Sequence, residues 1–429
     1  MTVAPAPSSV TPAGRLRGPL EPPGDKSIAH RALIIGALSG GPAEVAVRSP
    51  GEDVRSTASC LRELGVSVIE HVDGVLVRYA LEGRPSREAT VDCGNSGTTM
   101  RLLAGAVAGL PLRVTLDGDA SLWARPMERV ASLLRATGAE VTTTDGHAPM
   151  TVTGRERPLA VTHRLPVASA QLLGATALAA LGADGETTVV SPGPTRDHTE
   201  RMLAAAGVPV RRDGLVTTLR GPARPGALSM TVPGDVSSAA PWLVAGATHP
   251  DADITITGVG LNPTRTALVE LLQRAGADLE STITDASGPE PIGDLRIRGG
   301  SALAEIRTAG AETSALIDEL PLLGVLMAVT GGELRDASEL RVKESDRIAA
   351  MVAGLRSIGA SVEELPEGWR VSPGAPRAAR ITTHGDHRVA IAFAVAALAG
   401  VASAVELDDP ACVAVSYPTF WSDLAEVAS

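Results

Sequence analysis

Hydrophobic and polar positions follow one repeating pattern along the chain. Each copy has a leucine, three variable residues, a glycine, a small apolar residue, and another apolar residue two places on. The glycines recur roughly every 70 residues. Each copy predicts a helix that ends in the leucine segment, a glycine whose positive φ closes the helix, and then a strand. The five copies are LRELGVSV (61–68), LRATGAEV (134–141), LAAAGVPV (203–210), LQRAGADL (272–279) and LRSIGASV (355–362).

Upstream of each copy the pattern predicts another helix, and a sixth such helix lies near the C-terminus. These opening helices are apolar on nearly all sides, which predicts that they are buried inside a domain. Their polar residues gather at the N-terminal ends, where the helix dipole and free N–H groups favour anions. The opening segments are PGDKSIAHRALIIGAL (23–38), CGNSGTTMRLLAGAV (93–107), PVASAQLLGATALAAL (166–181), PGDVSSAAPWLVAGA (233–247), IDELPLLGVLMAV (317–329) and HGDHRVAIAFAVAAL (384–398).

Strand-like runs such as RVTL (113–116) and ADITITGV (252–259) lie between the helices. Six units of two helices plus strands predict an α/β protein. Because 429 residues are too many for one hydrophobic core, we expect two pseudo-symmetric domains of three units each.

Composition narrows the possible partners. Aromatic residues make up only 2% of the chain, which argues against single-stranded nucleic-acid binding by base stacking. The formal net charge of −11 argues against a non-specific polyanion binder. We therefore expect no nucleic-acid partner. Small anions remain possible ligands if the cations converge in one place.

Three cysteines, Cys60, Cys93 and Cys412, lie far apart without metal-ligand spacing. They predict buried, reduced thiols in a reducing compartment, and no metal site. The tail 1–14 has no apolar signal region, and the apolar stretch 390–405 is shorter than the about 20 residues a membrane span needs. We expect a cytoplasmic protein with no membrane contact.

The first two opening segments offer candidate anion-binding groups. Lys26 and Arg31 stand in the first turns of an apolar helix, which we expect only if they face a cleft. Lys26-Ser27 lacks the spacing of a phosphate-binding P-loop, so it predicts no nucleotide site. The turn around Asn95 and Gly97 is either an anion nest of backbone N–H groups or a plain helix cap.

Further candidates follow along the first half. Arg125 precedes a proline that favours extended backbone. The third opening presents Ser169, Ala170 and Gln171. Arg196 precedes another predicted helix, where Asp197 is equally well explained as an N-cap.

The second half adds carboxylates and more cations. Asp318 and Glu319 precede an apolar helix, and the run 341–347 is densely charged. If that run enters a helix, Lys343 and Arg347 lie on one face, four residues apart; a surface ladder of ion pairs around Glu344 is the alternative. His387-Arg388 opens the last helix, where Arg388 is alternatively a snorkelling end residue.

Together these groups predict at least two anion subsites and three candidate proton-transfer residues. Several cations with carboxylates and no metal-ligand cluster suit chemistry on phosphate and carboxylate groups without a cofactor. The cations are Lys26, Arg31, Arg125, Arg196, Lys343, Arg347 and Arg388, and the proton-transfer candidates are Asp318, Glu344 and His387.

Ten ordered motifs resemble the 5-enolpyruvylshikimate-3-phosphate (EPSP) synthases along nearly the whole chain after the N-terminal tail. Any one motif alone is weak, but ten in order with preserved spacing are highly specific. They are PGDKSIAHRAL, GNSGTTMRLL, ARPMERV, PVASAQ, TRDHTERML, NPTRTALVELL, IDELPLL, ELRVKESDRI, HGDHRVAIAF and VSYPTF.

The resemblance implies a two-domain inside-out α/β barrel fold of the enolpyruvyl transferase type, with six helix-and-sheet units, three per domain. It implies one domain of residues 1–20 plus 235–429, with residues 1–14 as a flexible tail, and a second of 24–232. The chain then crosses near 20–24 and 232–235. A monomer that is open without substrates and closes on them is expected.

The resemblance also implies the activity: the carboxyvinyl group of phosphoenolpyruvate is moved to the 5-hydroxyl of shikimate 3-phosphate, with no cofactor. Asp318 is then the base for the hydroxyl, and Glu344 the proton donor to C3, with Lys26 and His387 as rivals. By motif, the shikimate 3-phosphate residues are Lys26, Ser27, Arg31, Ser169, Ala170, Gln171, Arg196, Asp318 and Lys343. The phosphoenolpyruvate residues are Lys26, Asn95, Gly97, Arg125, Gln171, Arg347 and Arg388.

Some positions depart from the family pattern. Trp123 and Ala124 stand where many relatives have basic residues, and Leu173 stands where many have a lysine. The lost positive charge bears on substrate affinity. Gly97 matches the small residue that leaves room for the inhibitor glyphosate, which predicts sensitivity to it.

Three other functions fit parts of the pattern. A UDP-N-acetylglucosamine enolpyruvyl transferase has the same fold but uses a cysteine, and none stands beside Arg125 here. A paralogue acting on another shikimate-like acceptor is the second. A non-catalytic binding scaffold is the third, and it predicts loss of the charged helix starts, which this chain retains.

Overall fold

The computed structural model describes residues 7 and 9–429, which form two compact units. Unit 1 contains the described residues up to Pro23, together with Gly234–Asp285 and Pro291–Ser429. Unit 2 contains Gly24–Pro233 and the short segment Ala286–Glu290.

Helices open and close the repeated units as the sequence pattern predicts. Two short 3₁₀ helices, Ser338–Val342 and Pro410–Val415, accompany them. The α-helices are α1 (Lys26–Ser39), α2 (Glu52–Glu63), α3 (Gly97–Ala108), α4 (Ala120–Trp123), α5 (Glu128–Ala136), α6 (Ala170–Ala180), α7 (His198–Ala205), α8 (Val236–Thr248), α9 (Ala267–Arg274), α10 (Gly310–Ala315), α11 (Leu320–Thr330), α12 (Arg347–Ser357), α13 (His387–Leu398) and α14 (Phe420–Val427).

The strands are short and are distributed along the whole chain. They are β1 (Ser9–Val10), β2 (Leu16–Leu20), β3 (Ala43–Arg48), β4 (Ser67–Asp73), β5 (Leu76–Glu82), β6 (Ala89–Asp92), β7 (Arg113–Asp117), β8 (Glu140–Thr144), β9 (His147–Thr153), β10 (Thr162–Arg164), β11 (Gly185–Val190), β12 (Val210–Asp213), β13 (Val216–Gly221), β14 (Met230–Thr231), β15 (Ala252–Gly260), β16 (Asp278–Asp285), β17 (Ile292–Arg298), β18 (Ile306–Thr308), β19 (Gly332–Leu334), β20 (Ser361–Leu365), β21 (Gly368–Ser372), β22 (Ala378–Ile381) and β23 (Ala404–Leu407).

These strands form six small sheets in the described chain, five with four strands and one with three. In the sheet β6-β7-β9-β8, the parallel pair β6 and β7 is joined through the opening helix α3, and β8 and β9 form an antiparallel hairpin. The sheets β10-β11-β13-β12 and β18-β19-β21-β20 repeat this order. The predicted α/β fold of repeated helix-and-sheet units is therefore confirmed.

The glycines of the five repeats behave as predicted. All five have positive φ, between 79° and 109°. Each follows the helix end directly, as Gly65 does when its N–H donates to the Arg62 carbonyl oxygen at 2.9 Å. Only a residue without Cβ adopts this left-handed turn at no steric cost, and a strand follows each one.

The opening helices form the cores of the units. In unit 2, α3 and α6 approach so closely that a Cβ on Gly105 would lie 2.2 Å from the Ala175 carbonyl oxygen. In unit 1, α8 carries Trp242, which stacks on Phe420 and donates a hydrogen bond to the Tyr417 hydroxyl at 2.9 Å. Burial of these helices, predicted from their apolar circumference, is confirmed.

Part of the tail that was expected to be flexible is regular structure. Residues 1–6 and 8 lie outside the described residues, but Ser9–Val10 pairs with β23. Ala13 donates its N–H to the Leu398 carbonyl oxygen at 3.1 Å. Backbone hydrogen bonds, which composition does not reveal, hold residues 9–13 to the sheet and to the end of α13.

The predicted state of the cysteines is confirmed, because Cys60, Cys93 and Cys412 are all buried and free. Across the described residues, no helix is long and apolar enough to cross a membrane.

Candidate active site

Lys26 is the first residue of α1, and its ammonium group lies beside a carboxylate from α2. Asp25 caps the helix by accepting from the Ile28 N–H at 3.0 Å. The Lys26 side chain is partly exposed. Lys26 Nζ lies 3.4 Å from Asp53 Oδ2. Burial acts to raise the pKa of Asp53, but Lys26, His30 and Arg125 outweigh it, so the pKa is lowered. Asp53 was not predicted from the sequence as a site residue, because its partner Lys26 lies on another helix and is distant in sequence.

Arg31 is buried rather than exposed, and it joins two of the predicted segments. It donates to the Thr199 hydroxyl at 2.7 Å, to the Ser27 carbonyl oxygen at 2.8 Å, and to the Ala170 carbonyl oxygen at 3.2 Å. Burial lowers the pKa of Arg31 to about 10, although Glu200 acts against this. The guanidinium therefore stays charged at neutral pH.

Gln171, at the start of α6, is held at both ends of its amide. Arg101 donates to its Oε1 at 2.8 Å, and its Nε2 donates to the Thr98 hydroxyl at 2.9 Å. Burial, together with the charges of Arg125 and Arg129, lowers the pKa of Arg101 to about 10. Arg101 was not singled out from the sequence, although it stands in the GNSGTTMRLL motif. Ser169 caps α6 by accepting from the Leu172 N–H at 3.4 Å.

Arg125 and Asn95 lie together beside the start of α3. Arg125 donates to Asn95 Oδ1, and Asn95 Nδ2 donates to Asp119 at 3.0 Å. A Cβ on Gly97 would lie 2.8 Å from Arg101 Nη1 and 3.4 Å from Arg125 Nη1. The missing side chain of Gly97 therefore leaves room for two guanidinium groups. As a cap, Ser96 accepts from the Thr99 N–H at 3.1 Å.

Arg196 stands in the loop before α7, and its charge acts on Arg31. Asp197 occupies the N-cap position, but its side chain does not cap the helix; it pairs with Arg201 at 2.8 Å. Of the departures from the family pattern, Trp123 is half exposed and donates to Asp117 at 2.7 Å. Leu173 is 1% exposed, so it packs in the core of unit 2.

Arg347 anchors the part of the candidate site that unit 1 contains. It begins α12, is 1% exposed, and pairs through Nε with Asp386 Oδ2 at 2.7 Å and through Nη2 with Glu344 at 2.5 Å. Ser345 also donates to Asp386 at 3.0 Å. Burial acts to raise the pKa of both Asp386 and Glu344, but Arg347 outweighs it, so both pKa values are lowered.

The run 341–347 does not enter a helix until Arg347, so the condition under which Lys343 and Arg347 would share one helical face is not met. Asp346 caps α12 by accepting from the Ala349 N–H at 3.0 Å, so the helix begins only at Arg347. Lys343 lies before it in extended backbone and pairs with Glu339 at 2.7 Å. The Ser-Asp pair that precedes the apolar run signals this helix start.

Asp318 and Arg388 are neighbours in unit 1. Arg388 donates to the Asp318 carbonyl oxygen at 2.7 Å, and its Nη2 lies 3.7 Å from Asp318 Oδ1. Burial acts to lower the pKa of Arg388, but the carboxylates of Asp318, Glu319 and Asp235 outweigh it, so the pKa is raised. His387 is 6% exposed and lies close enough to Glu344 and Asp386 to favour their ionised forms. Because the Arg388 guanidinium is bound to Asp318, it does not extend into water, and the snorkelling alternative for Arg388 is wrong.

The predicted residues thus form two sets of cations and polar groups at helix starts. Unit 2 holds Lys26, Ser27, Arg31, Asn95, Gly97, Arg125, Ser169, Ala170, Gln171 and Arg196, and unit 1 holds Asp318, Lys343, Glu344, Arg347, His387 and Arg388. Within the described chain, no group of three or more His, Cys, Asp or Glu side chains is arranged to hold a metal ion.

The family model of EPSP synthase (3-phosphoshikimate 1-carboxyvinyltransferase) matches residues 10–424. The chain belongs to the EPSP synthase family. Two similar proteins, both named 3-phosphoshikimate 1-carboxyvinyltransferase, come from Acidithiobacillus ferrooxidans and Gloeobacter violaceus. The first is 47% identical over 416 residues, covering 96% of this chain and 95% of the relative. The second is 47% identical over 429 residues, covering 98% of each.

Solved structures agree with this family. An EPSP synthase from Acinetobacter baumannii matches with a TM-score of 0.87 and 36% identity, covering 98% of this chain and 97% of that one. The predicted resemblance to EPSP synthases, and the fold it implied, are confirmed.

Proposed function

We propose that this chain transfers the carboxyvinyl group of phosphoenolpyruvate to the 5-hydroxyl of shikimate 3-phosphate and releases phosphate. The observation that carries the proposal is the similarity, over nearly the full length, to proteins named 3-phosphoshikimate 1-carboxyvinyltransferase. The charged helix starts support it, since Arg31, Arg101 and Arg347 are arginines at least partly buried within an acidic protein.

The reaction requires three proton movements and no redox change. The 5-hydroxyl loses a proton as its oxygen bonds to C2 of the enol, and C3 gains a proton. The tetrahedral adduct then loses phosphate from C2 and a proton from C3, which restores the carbon–carbon double bond. Both substrates carry several negative charges, so converging cations lower the cost of bringing them together and fix their geometry.

Substrate binding is proposed for the residues that match the family motifs. Shikimate 3-phosphate is held by Ser27, Arg31, Ser169, Ala170, Gln171, Arg196 and Lys343, with Lys26 and Asp318 near its reacting hydroxyl. Phosphoenolpyruvate is held by Lys26, Asn95, Gly97, Arg125, Gln171, Arg347 and Arg388.

Asp318 is the proposed base. Arg388, whose Nη2 lies 3.7 Å away, favours the ionised carboxylate that a base requires. Arg388 also donates to the Asp318 backbone carbonyl oxygen, which helps to hold the residue that carries this carboxylate.

Glu344 is the proposed proton donor to C3, with Lys26 and His387 as rivals. Its lowered pKa means that the carboxyl is ionised without substrate. A substrate carboxylate that binds Arg347 competes with Glu344 for the guanidinium and so raises the pKa of Glu344. Glu344 is therefore proposed to carry the proton that it donates only when substrate is bound.

Three further properties complete the proposal. The chain works without a cofactor or a metal, since the chemistry needs only proton transfer and charge stabilisation. It acts as a cytoplasmic monomer. Its partners are the two small substrates, with no nucleic acid and no membrane.

The test is phosphate release from phosphoenolpyruvate with shikimate 3-phosphate or UDP-N-acetylglucosamine as separate acceptors. Release only with shikimate 3-phosphate is expected, and Asp318→Asn should lower its rate at least about a hundredfold. Thermal unfolding of the variant controls for folding. Release with UDP-N-acetylglucosamine alone, or with neither acceptor, contradicts the proposed acceptor.

A further inference from the structure

Helix α11 begins differently from the other five opening helices. In α1, α3, α6, α8 and α13 the residue before the helix accepts a hydrogen bond from the first turn through its own side chain. In the described chain, Glu319 before α11 makes no such cap. Pro321, at the second position, has no N–H to offer. The Glu319 carboxylate instead forms a hydrogen bond with a residue of another helix.

That carboxylate accepts a hydrogen bond from the Ser237 hydroxyl on α8. The same hydroxyl accepts from Arg265 Nη2 at 2.7 Å, and Arg265 Nη2 also lies 3.1 Å from Asp235 Oδ1. Arginine can only donate, and a serine hydroxyl has one proton. The direction of the chain of hydrogen bonds is therefore set: Arg265 donates to Ser237, and Ser237 donates to Glu319.

The network is shielded from water. Arg265 is 7% exposed, Ser237 9% and Glu319 6%. Hydrogen bonds with a charged partner are about twice as strong as neutral ones, and burial limits the competition from water. A buried network with a single set of donors and acceptors holds its members in one arrangement.

Asp318 stands next to Glu319 and is held from the opposite side. Arg388 on α13 donates to the Asp318 carbonyl oxygen at 2.7 Å. The two adjacent residues at the start of α11 are thus fastened to two different helices, α8 through Glu319 and α13 through Asp318. The peptide that carries the Asp318 side chain cannot rotate without breaking one of these contacts.

We propose that Arg265, Ser237 and Glu319 are positioning residues that aim the Asp318 carboxylate at the acceptor hydroxyl. This rests on the proposed function, in which Asp318 is the base. The three residues touch no substrate in this proposal; they act through Asp318. General-base catalysis depends on geometry within a fraction of an ångström, and a misplacement of about 1 Å can cost a hundredfold in rate.

A double-mutant cycle in kcat tests the proposal. Ser237→Ala removes the hydroxyl between Arg265 and Glu319, and should lower kcat by roughly ten- to a hundredfold while changing KM for phosphoenolpyruvate less than about threefold. In the Asp318→Asn background, Ser237→Ala should lower kcat no further. Equal loss in both backgrounds would show that Ser237 acts independently of Asp318, and would overturn the proposal.

Variants at Glu319 separate the hydrogen bond from the charge. Glu319→Gln keeps an oxygen that accepts from Ser237, so it should retain kcat within about fivefold, whereas Glu319→Ala should resemble Ser237→Ala. Equal losses in the two variants would contradict a positioning role. Ser238→Ala, a similarly buried serine on the same helix but outside the network, is the matched control and should leave kcat unchanged.

A crystal structure of Ser237→Ala gives a readout that does not depend on turnover. If wild-type enzyme releases no phosphate with shikimate 3-phosphate, the proposed function fails, but the network can still be judged. A displacement of the Asp318 carboxylate by about 1 Å supports the positioning role. An unchanged position, within about 0.5 Å, refutes it.

Discussion

Arg347 and Asp386 form an ion pair that is almost completely buried, with side chains 1% and 0% exposed. Such a pair adds little net stability over apolar residues, but breaking it leaves one charge in a medium that solvates it poorly. Glu344 and Ser345 bring further hydrogen bonds to the same two groups. The stability of this part of unit 1 therefore depends on both partners being charged.

Asp386→Asn should lower the free energy of unfolding by about 3–5 kcal/mol. Asparagine can still cap α13, so the change removes mainly the negative charge beside Arg347. Asp253→Asn is the matched control, because Asp253 pairs with Arg296 at a similar distance, 2.8 Å, but on the surface. Urea unfolding of the two variants compares them; equal losses would mean that burial of the Arg347 pair is energetically irrelevant.

Acid should destabilise the protein partly through the same cluster. The pKa values of Asp386 and Glu344 lie below their ordinary values of 3.8 and 4.5, so the unfolded chain binds protons more readily than the folded one. Their contribution is complete above those ordinary values and is lost as the pH falls through the lowered folded values. Thermal unfolding from pH 7 to pH 3 should therefore show a smaller loss of Tm for Asp386→Asn than for wild type. A parallel loss would contradict the assignment.

Gly97→Ala should weaken both phosphoenolpyruvate binding and inhibition by glyphosate. The added Cβ would lie 2.8 Å from Arg101 Nη1, so the guanidinium that holds Gln171 must move. We expect KM for phosphoenolpyruvate to rise several-fold and the inhibition constant for glyphosate to rise more. Gly41→Ala, with no heavy atom within 4 Å of its added Cβ, controls for glycine replacement itself. Wild-type activity unaffected by millimolar glyphosate would refute the expected sensitivity.

At the scale of elements, the close approach of α3 and α6 sets the positions of Gly97, Arg101 and Gln171. Gly105 lies where the two backbones meet, and its Cβ position is 2.2 Å from the Ala175 carbonyl oxygen. Backbone atoms cannot give way as a flexible side chain can. The packing of these helices therefore requires glycine at this position.

Gly105→Ala should cost about 1–3 kcal/mol of stability and lower activity, because α3 and α6 must separate. Gly36→Ala is a matched control in the middle of α1, where the added Cβ would lie 3.4 Å from the Ala43 Cβ. There the gain in helix propensity, about 0.5–1 kcal/mol, should leave stability equal or higher. Chemical unfolding and the phosphate-release assay measure both effects. A neutral Gly105→Ala would show that the helices adjust freely.

At the scale of the whole molecule, all the residues proposed to bind substrates belong to one chain. That assignment is the basis for the proposed monomer. Light scattering of the purified protein should therefore give a mass near 43.7 kDa that does not change with concentration. A stable dimer whose dilution lowers the specific activity would contradict the proposed monomer.

The sequence by itself determined the repeated architecture, because its signals are local. A leucine segment followed by glycine predicts a helix end, because glycine tolerates the positive φ that closes a helix, and Gly65 and Gly359 both adopt positive φ. Apolar residues on all sides of a helix predict burial of that helix, and this signal also lies within one short segment. Candidate site residues were also recognisable where they stand at helix starts, as Lys26 and Arg347 do.

Only the tertiary structure decided which of these residues meet. Arg31 bonds to Ala170 across 139 positions of sequence, and Ser237 bonds to Glu319 across 82. No local pattern encodes such contacts, because they arise from helix packing rather than from backbone propensity. For this reason the sequence did not show that Arg31 is buried. It also did not show that the Glu319 carboxylate accepts a hydrogen bond from Ser237 on α8 instead of capping α11.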